Sequence, residues 1–280
     1  MRLHIFYLLL LALAFPVSAP IAQADTITLG TAAPFAVLAG STVTNTGPSV
    51  IDGDLGVSPG TAITGFPPGS VTAPGTINDA NAAAMQAQND VTTAYNALAG
   101  LSATSTLTGT NLGGLTLTPG VYFFASSAQL TGTLTLNAEG DPNAVWVFQV
   151  GSALTTASNS AVSIENPGLN DALFWQIGSS ATLGTDTDFA GNLIALSSIT
   201  LNTGATDNCG RVLARNGAVT LDDNTISIGC ANVSGESGSG GLSGGTSGSS
   251  GGGTTGVPEP STLALVGCGI VGLLILRRHA

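Results

Sequence analysis

The sequence predicts a mainly β solenoid with one α-helix packed along its flank, and three observations carry that prediction. The first is an apolar-Thr-apolar triplet that keeps returning: Leu115-Thr116-Leu117, Leu134-Thr135-Leu136, Ala181-Thr182-Leu183, Ile199-Thr200-Leu201 and Val219-Thr220-Leu221, with Val162-Ser163-Ile164 as a variant. Counted Thr to Thr, with Ser163 standing in, the steps are 19, 28, 19, 18 and 20 residues. A regular step near 20 is what stacked coils need, since each must circle the core and return above its start. The second observation is composition: 39 Gly among 280 residues, 8% charged and 5% aromatic, with polarity supplied by Thr, Ser, Asn and Gly. Such a mix suits many short strands joined by tight turns. The third is that only one stretch has helical periodicity.

Side chains alternate across a strand, so two inward apolar neighbours turn the Thr between them outward. Stacked coils then place Thr116, Thr135, Thr182, Thr200 and Thr220 in one column, rungs about 4.8 Å apart. Upstream, Thr26 to Val57 carries strand-like runs such as Phe35-Ala36-Val37-Leu38 and Ser41-Thr42-Val43-Thr44, with turn signals at Gly47-Pro48, Asp52-Gly53 and Ser58-Pro59-Gly60. The helix is expected from about Asn78 to Ala99, capped by Asn78 or Asp79 and ended by Gly100. Ala80, Ala84, Ala87, Val91, Ala94 and Leu98 form its apolar stripe. These side chains are small, so the helix can lie close against the solenoid. From Leu107 to Cys230 the chain reads as strands and turns. The bulky runs Val121 to Phe124, Val145 to Phe148 and Leu173 to Ile177 are expected to fill the widest part of the core.

Both ends read as addresses. Arg2, the apolar run Ile5 to Phe15 and the small residues Ala22-Gln23-Ala24 form a secretory signal peptide, residues 1–24. Residues 25–233 form the folded domain. Residues 234–256 are a Gly/Ser-rich linker unable to bury a core. In residues 257–280, Val257-Pro258-Glu259-Pro260 precedes an apolar run from Thr262 to Leu276 and the pair Arg277-Arg278. That layout resembles the PEP-CTERM sorting signal of Gram-negative bacteria. The resemblance implies processing by an exosortase-type enzyme after export through the inner membrane, with transient anchoring by this segment, then delivery to the cell surface or its matrix.

Setting the ends aside narrows the chemistry. The chain has no Lys, and His4, His279 and Cys268 all lie in the terminal segments. The 25–233 domain holds Arg211 and Arg215 against 14 acidic residues. Such a balance excludes nucleic acid as a partner, because nothing can neutralise a phosphate backbone. Cys209 and Cys230 are 21 residues apart, about one coil, which places them on adjacent coils as a disulfide in an exported protein. Two free thiols are the alternative; a metal site lacks any nearby His or second Cys pair. Paired carboxylates, Asp186 with Asp188 or Asp222 with Asp223, would suit a β-helix enzyme acting on carbohydrate. The domain has no His or Lys to act as base or activate a nucleophile, so no catalytic residue is assigned. No cofactor is implied. Asp clusters could hold calcium in a structural or adhesive matrix protein, but no spacing matches a dedicated calcium loop.

Several segments, in order, resemble one family. They are Phe35-Ala-Val-Leu-Ala-Gly40, Gly53-Asp-Leu-Gly-Val-Ser-Pro-Gly60, Thr61-Ala-Ile-Thr-Gly65, Thr118-Pro-Gly-Val-Tyr122, Ala144-Val-Trp-Val-Phe148, Phe174-Trp-Gln-Ile-Gly178 and Gly191-Asn192 through Gly210-Arg211-Val-Leu-Ala214. Arranged around one helix, they resemble the bacterial and fungal ice-binding proteins built on a discontinuous β-solenoid. The resemblance implies a right-handed triangular β-helix whose first coil is separated from the others by the helix, and an ice crystal surface as the partner of one flat face. It also implies a second set of candidates through a Thr-Ala/Gly-any-Thr/Asn motif: Thr61 and Thr64, Thr108 and Asn111, Thr156 and Asn159, Thr203 and Thr206. Adsorption to ice needs no reactive group. It needs a rigid face of hydroxyls and methyls, and Thr supplies both on a side chain with little rotamer freedom to lose.

Overall fold

The computed structural model describes residues 27–168 and 170–229. Its strands run parallel throughout and wrap into a right-handed solenoid with three walls. The first wall stacks Ser105–Thr106, Gly120–Phe124, Val145–Val150, Ala172–Ile177, the later halves of Asp188–Ala195 and Thr206–Ala214, then Phe35–Ala39, Asp54–Val57 and Ile77–Asp79. The second stacks Ala128–Leu130, Leu154–Thr156, Ala181–Leu183, Ile199–Leu201, Val219–Leu221, Thr42–Asn45 and Ala62–Thr64. The third stacks Thr116–Leu117, Thr133–Asn137, Ala161–Glu165, the leading residues of Asp188–Ala195 and Thr206–Ala214, then Thr225–Ser227, Val50–Asp52 and Ser70–Thr72. A register shift between Phe189 and Gly191 bends the two long strands from the third wall into the first.

Order along the axis differs from order along the chain. Val37 pairs with Val212 on one side and Leu55 on the other, so the earliest coil is seated directly on the last one. Two N-terminal turns, not one, are set apart in this way. The helix then returns the chain to the opposite end, where Ser105–Thr106 begins the remaining stack.

The helix spans Ala82–Ala99, starting four residues later than the expected Asn78. Asn81 caps it, its side-chain oxygen accepting from the Ala84 N–H at 2.9 Å, and Gly100 closes it. Residues Ile77–Asp79 pair with Leu55–Val57 instead, and Ala80 takes a positive φ of 45° to leave that strand. A free sheet edge outcompeted a helical turn there. Ala84, Ala87, Val91, Ala94, Tyr95 and Leu98 are buried against Leu38, Val147, Phe174, Ile194 and Leu213, the outward residues of the first wall. Gln149 donates to the carbonyls of Leu98 (2.7 Å) and Leu101 (2.8 Å), and Gln88 to that of Ala214 (3.0 Å), fixing the helix at both ends. The helix thus covers much of that wall, leaving Ile77 and Phe123 exposed on its outer strands.

Inside, one aromatic ring per coil forms a ladder: Tyr122, Phe148, Trp175 and Phe189, with centroids 5.4, 4.0 and 5.0 Å apart. Trp146, Phe124 and Phe148 are fully buried, as expected of the bulky runs, while Phe174 packs outward under the helix and Phe123 stays half-exposed.

Arg211 ties the seam between the first and last coils. Its Nε and Nη2 donate to the Ala33 carbonyl at 2.8 and 2.6 Å, and Nη1 donates to Asn192 Oδ1 at 2.9 Å. Asp207 lies wholly buried beside it, neither carboxylate oxygen making a well-aligned hydrogen bond. Burial pushes this carboxyl up to about 8, outweighing the nearby Cys209 and Gly191 N–H groups and the Arg211 guanidinium; Asp188 adds to the rise. Folded Asp207 thus binds more protons than the unfolded chain, so its stabilising share is complete below the ordinary carboxylate value of 3.8. It is lost progressively as pH rises towards the folded value. Thermal unfolding followed across that window should show Tm falling with pH, and Asp207→Asn should flatten the slope.

Candidate functional site

The second wall carries a column built by register alone. Thr155 pairs with Thr182, Thr182 with Thr200, Thr200 with Thr220, Thr220 with Thr44 and Thr44 with Thr64. Gln129 extends the column beyond Thr155, and Asn111 bridges to Gln129. Six Thr on consecutive strands span about 24 Å at the usual strand spacing. Two residues earlier on each strand stand small side chains, among them Ser127, Ala153, Ser180, Ser198, Ala218 and Ala62. Neither row holds a charge. Among the described residues, no hydroxyl of the six bonds to protein except Thr64, 3.5 Å from the Val43 carbonyl. The donors and acceptors of the other five face outward. The residues between them, such as Leu183, Leu201 and Leu221, are buried and lock the strand beneath.

The third wall is different. Asp188 Oδ1 accepts from Thr206 Oγ1 (3.2 Å) and Asn208 Nδ2 (3.5 Å), and Asp52 Oδ2 from Ser227 Oγ (2.8 Å). Its outward polar groups partly satisfy one another, and Asp52, Glu165 and Asp188 give it charge.

The expected column of five Thr divides between these two walls. Thr182, Thr200 and Thr220 stand together on the second, whereas Thr116 pairs with Thr135, and Thr135 with Ser163, on the third. The triplet recurs on both walls, so the step from Ser163 to Thr182 passes along the whole first-wall strand Ala172–Ile177. Two strands hide that change of wall: Leu154-Thr155-Thr156 has an inward Thr where the pattern demands an apolar residue, and Asp188-Phe189 carries no triplet.

The second candidate set does not share one surface. Thr64 belongs to the column and Asn111 lies at its end. Thr61 is exposed just ahead of Ala62–Thr64, and Thr108 accepts from the Ala125 N–H at 2.8 Å near a corner. Thr156 points inward, 3% exposed; its hydroxyl lies 2.8 Å from that of Thr187 and accepts from the Gly184 N–H. A side chain so enclosed touches no outer partner. Asn159 occupies a turn with φ 57°, Thr203 bonds to Asp222 at a corner, and Thr206 lies on the third wall.

The sequence reading missed Thr44 and Thr155 as column members, and with them Gln129. Both Thr precede an inward polar residue that the apolar rule rejects. Asn45 is nonetheless buried, donating to the carbonyls of Gly47 (2.6 Å) and Gly65 (2.8 Å). Spacing alone held a signal, since Thr44 and Thr64 lie 20 residues apart.

The carboxylates of each candidate pair have different surroundings. Asp186 sits in a turn with φ 54° while Asp188 bonds along the third wall, and Asp222 bonds to Thr hydroxyls while Asp223 is exposed. Among the described residues, no group of three His, Cys, Asp or Glu could hold a metal ion. Cys209 is buried on Thr206–Ala214, and Cys230, its expected partner, lies outside the described residues.

The solenoid thus has one wall largely covered by a helix and another presenting an uncharged Thr lattice, a geometry suited to contact with a flat surface. The chain belongs to the ice-binding-like family, which matches residues 37–227. Residues 256–278 match the PEP-CTERM protein-sorting motif. An ice-binding protein of Nostoc sp. (strain HG1) is 56% identical over 251 residues, 89% of this chain and 86% of that protein. Among solved structures, an ice-binding protein from an Antarctic biological consortium is 51% identical with a TM-score of 0.68, over 72% of this chain and 90% of that one. Another, from the Antarctic ascomycete Antarctomyces psychrotrophicus, is 43% identical with a TM-score of 0.68, over 72% of this chain and 98% of that one.

Proposed function

We propose that this chain is an exported protein that adsorbs to ice through its second wall, with Thr44, Thr64, Thr155, Thr182, Thr200 and Thr220 as the central contact row and Thr42, Ser180 and Ser198 beside it. The observation that supports this most is the in-register Thr column whose hydroxyls face away from the protein. Each hydroxyl and methyl contributes little. Repetition on a stiff lattice lets the contributions add, because Thr surrenders little side-chain entropy on binding. No reacting group is needed, and the reading is non-enzymatic. Purified protein should inhibit ice recrystallisation and shape growing crystals; ice growth unchanged at all concentrations sinks the proposal.

Residues 25–233 form the exported domain in this reading, joined by the 234–256 linker to a C-terminal segment that anchors the chain until an exosortase-type enzyme acts on it. The sorting motif supports export and C-terminal anchoring, and this reading takes the chain on to the cell surface or the surrounding polysaccharide matrix. A structural role there rests on that motif alone and would use the same rigid solenoid. The Cys209–Cys230 bridge belongs to the same proposal. Full chain unfolded without reductant should then titrate one thiol of its three cysteines. Reducing the bridge should cost about 3 kcal/mol of stability for a loop of this length. Three reactive thiols would refute the pairing.

A further inference from the structure

Where the contact face meets the third wall stand three carboxylates, Asp186, Asp222 and Asp223, of which Asp222 directly follows Val219–Leu221. A hydrated charge at that border would hold water in the wrong arrangement for ice. The surroundings of Asp222 show a different use. Oδ1 accepts from Thr46 Oγ1 at 3.0 Å, and Oδ2 accepts from Thr203 Oγ1. Thr46 follows the strand Thr42–Asn45, and Thr203 lies just past Ile199–Leu201. These strands flank Val219–Leu221 on either side, so one carboxylate clamps hydroxyls on the rung above and the rung below. Its backbone is fixed as well. The Asp222 N–H donates to Asn224 Oδ1 at 2.7 Å, and buried Asn224 donates in turn to the carbonyls of Asn202 and Ala205, each at 2.9 Å.

We propose that Asp222 is a positioning residue of the ice-contact face: by holding the Thr46 and Thr203 hydroxyls in fixed rotamers it carries the ordered surface one row beyond the central Thr column. This rests on the second wall being the ice face. Charge-assisted hydrogen bonds are the strong ones, and here each carboxylate oxygen holds one Thr hydroxyl. A free Thr at a face border would sample several rotamers, and ordering it on contact would cost entropy that the clamp removes beforehand.

The test uses the full-length protein in mild detergent, comparing ice recrystallisation inhibition with Tm for Asp222→Ala, Asp222→Asn, the double variant Thr46→Val/Thr203→Val, the triple combination of Asp222→Ala with that pair, and Thr200→Tyr. Expected are a several-fold loss for Asp222→Ala, an equal loss for the double variant, no further loss in the triple, and partial rescue by Asp222→Asn, which keeps one acceptor oxygen. Tm guards against a folding effect. Should Asp222→Ala not fold, the double variant and Asp222→Asn carry the comparison. Full activity of Asp222→Ala beside an inactive Thr200→Tyr would overturn the positioning role and leave the face intact. Additive losses in the triple would also overturn it, since Asp222 would then act without those hydroxyls. Full activity of Thr200→Tyr would overturn the face itself.

Discussion

Thr200→Tyr should abolish ice recrystallisation inhibition while leaving Tm nearly unchanged. Thr200 stands third of six in the column, with Thr182 and Thr220 in register on either side. Its neighbours Ile199 and Leu201 point inward and carry the packing, so substituting the outward residue leaves the core as it is. A Tyr ring there stands several ångströms proud of a surface otherwise made of Thr, Ser and Ala. A flat crystal plane cannot then approach the adjoining rungs, and the loss extends well past one contact. Surface substitutions away from special features usually change stability by less than about 0.5 kcal/mol, which separates adsorption from folding. Thr135→Tyr, on the third wall, is the control and should retain activity. If it is the inactive one, the contact face is the third wall.

The second large effect falls on stability. Arg211→Ala should cost about 2–6 kcal/mol, at about 1–3 kcal/mol for each of the two acceptors it leaves without a donor. Arg211 is 3% exposed, and burial draws its guanidinium down to about 10 although Asp207 favours its charge. Removing it orphans the Ala33 carbonyl and Asn192 Oδ1 and leaves Asp207 with no neighbouring cation. Because Ala33 belongs to the segment entering the first coil, the damage is to the seam between the two ends of the domain. Arg211→Lys should recover little, since an ammonium cannot reproduce a fork that reaches two acceptors in different directions. Chemical denaturation with Tm as a cross-check reads the effect; a change under about 1 kcal/mol would show the seam is held by strand pairing alone.

Much of this architecture is legible in the chain because solenoids repeat themselves. The step near 20, the one helical stripe and the aromatic runs each led to the element found. Registry was harder. A periodicity measured along the chain reports the length of a coil, not which of three walls a strand occupies, so Thr116 and Thr135 were grouped with residues on another side. Pattern rules also treat an inward polar residue as a break. Asn45 and Thr156 are inward and polar, but corner carbonyls and the Thr187 hydroxyl satisfy them, and this is how Thr44 and Thr155 escaped notice. The helix start slipped for a related reason: whether 77–79 extends a helix or a sheet depends on an edge at Leu55–Val57 that local sequence cannot reveal.

The seating of the first coil on the last has a consequence for biogenesis. In most repeat proteins each unit leans only on its sequence neighbours, so stability grows step by step from either end. Here Thr220 is followed on the face by Thr44, from the opposite extreme of the domain. The uninterrupted lattice therefore exists only once the entire domain has emerged and its two ends have met, a long-range closure of the kind that slows folding. Partial products of synthesis or proteolysis carry rows of Thr but never the full plane, and the molecule becomes competent all at once, at the end of folding.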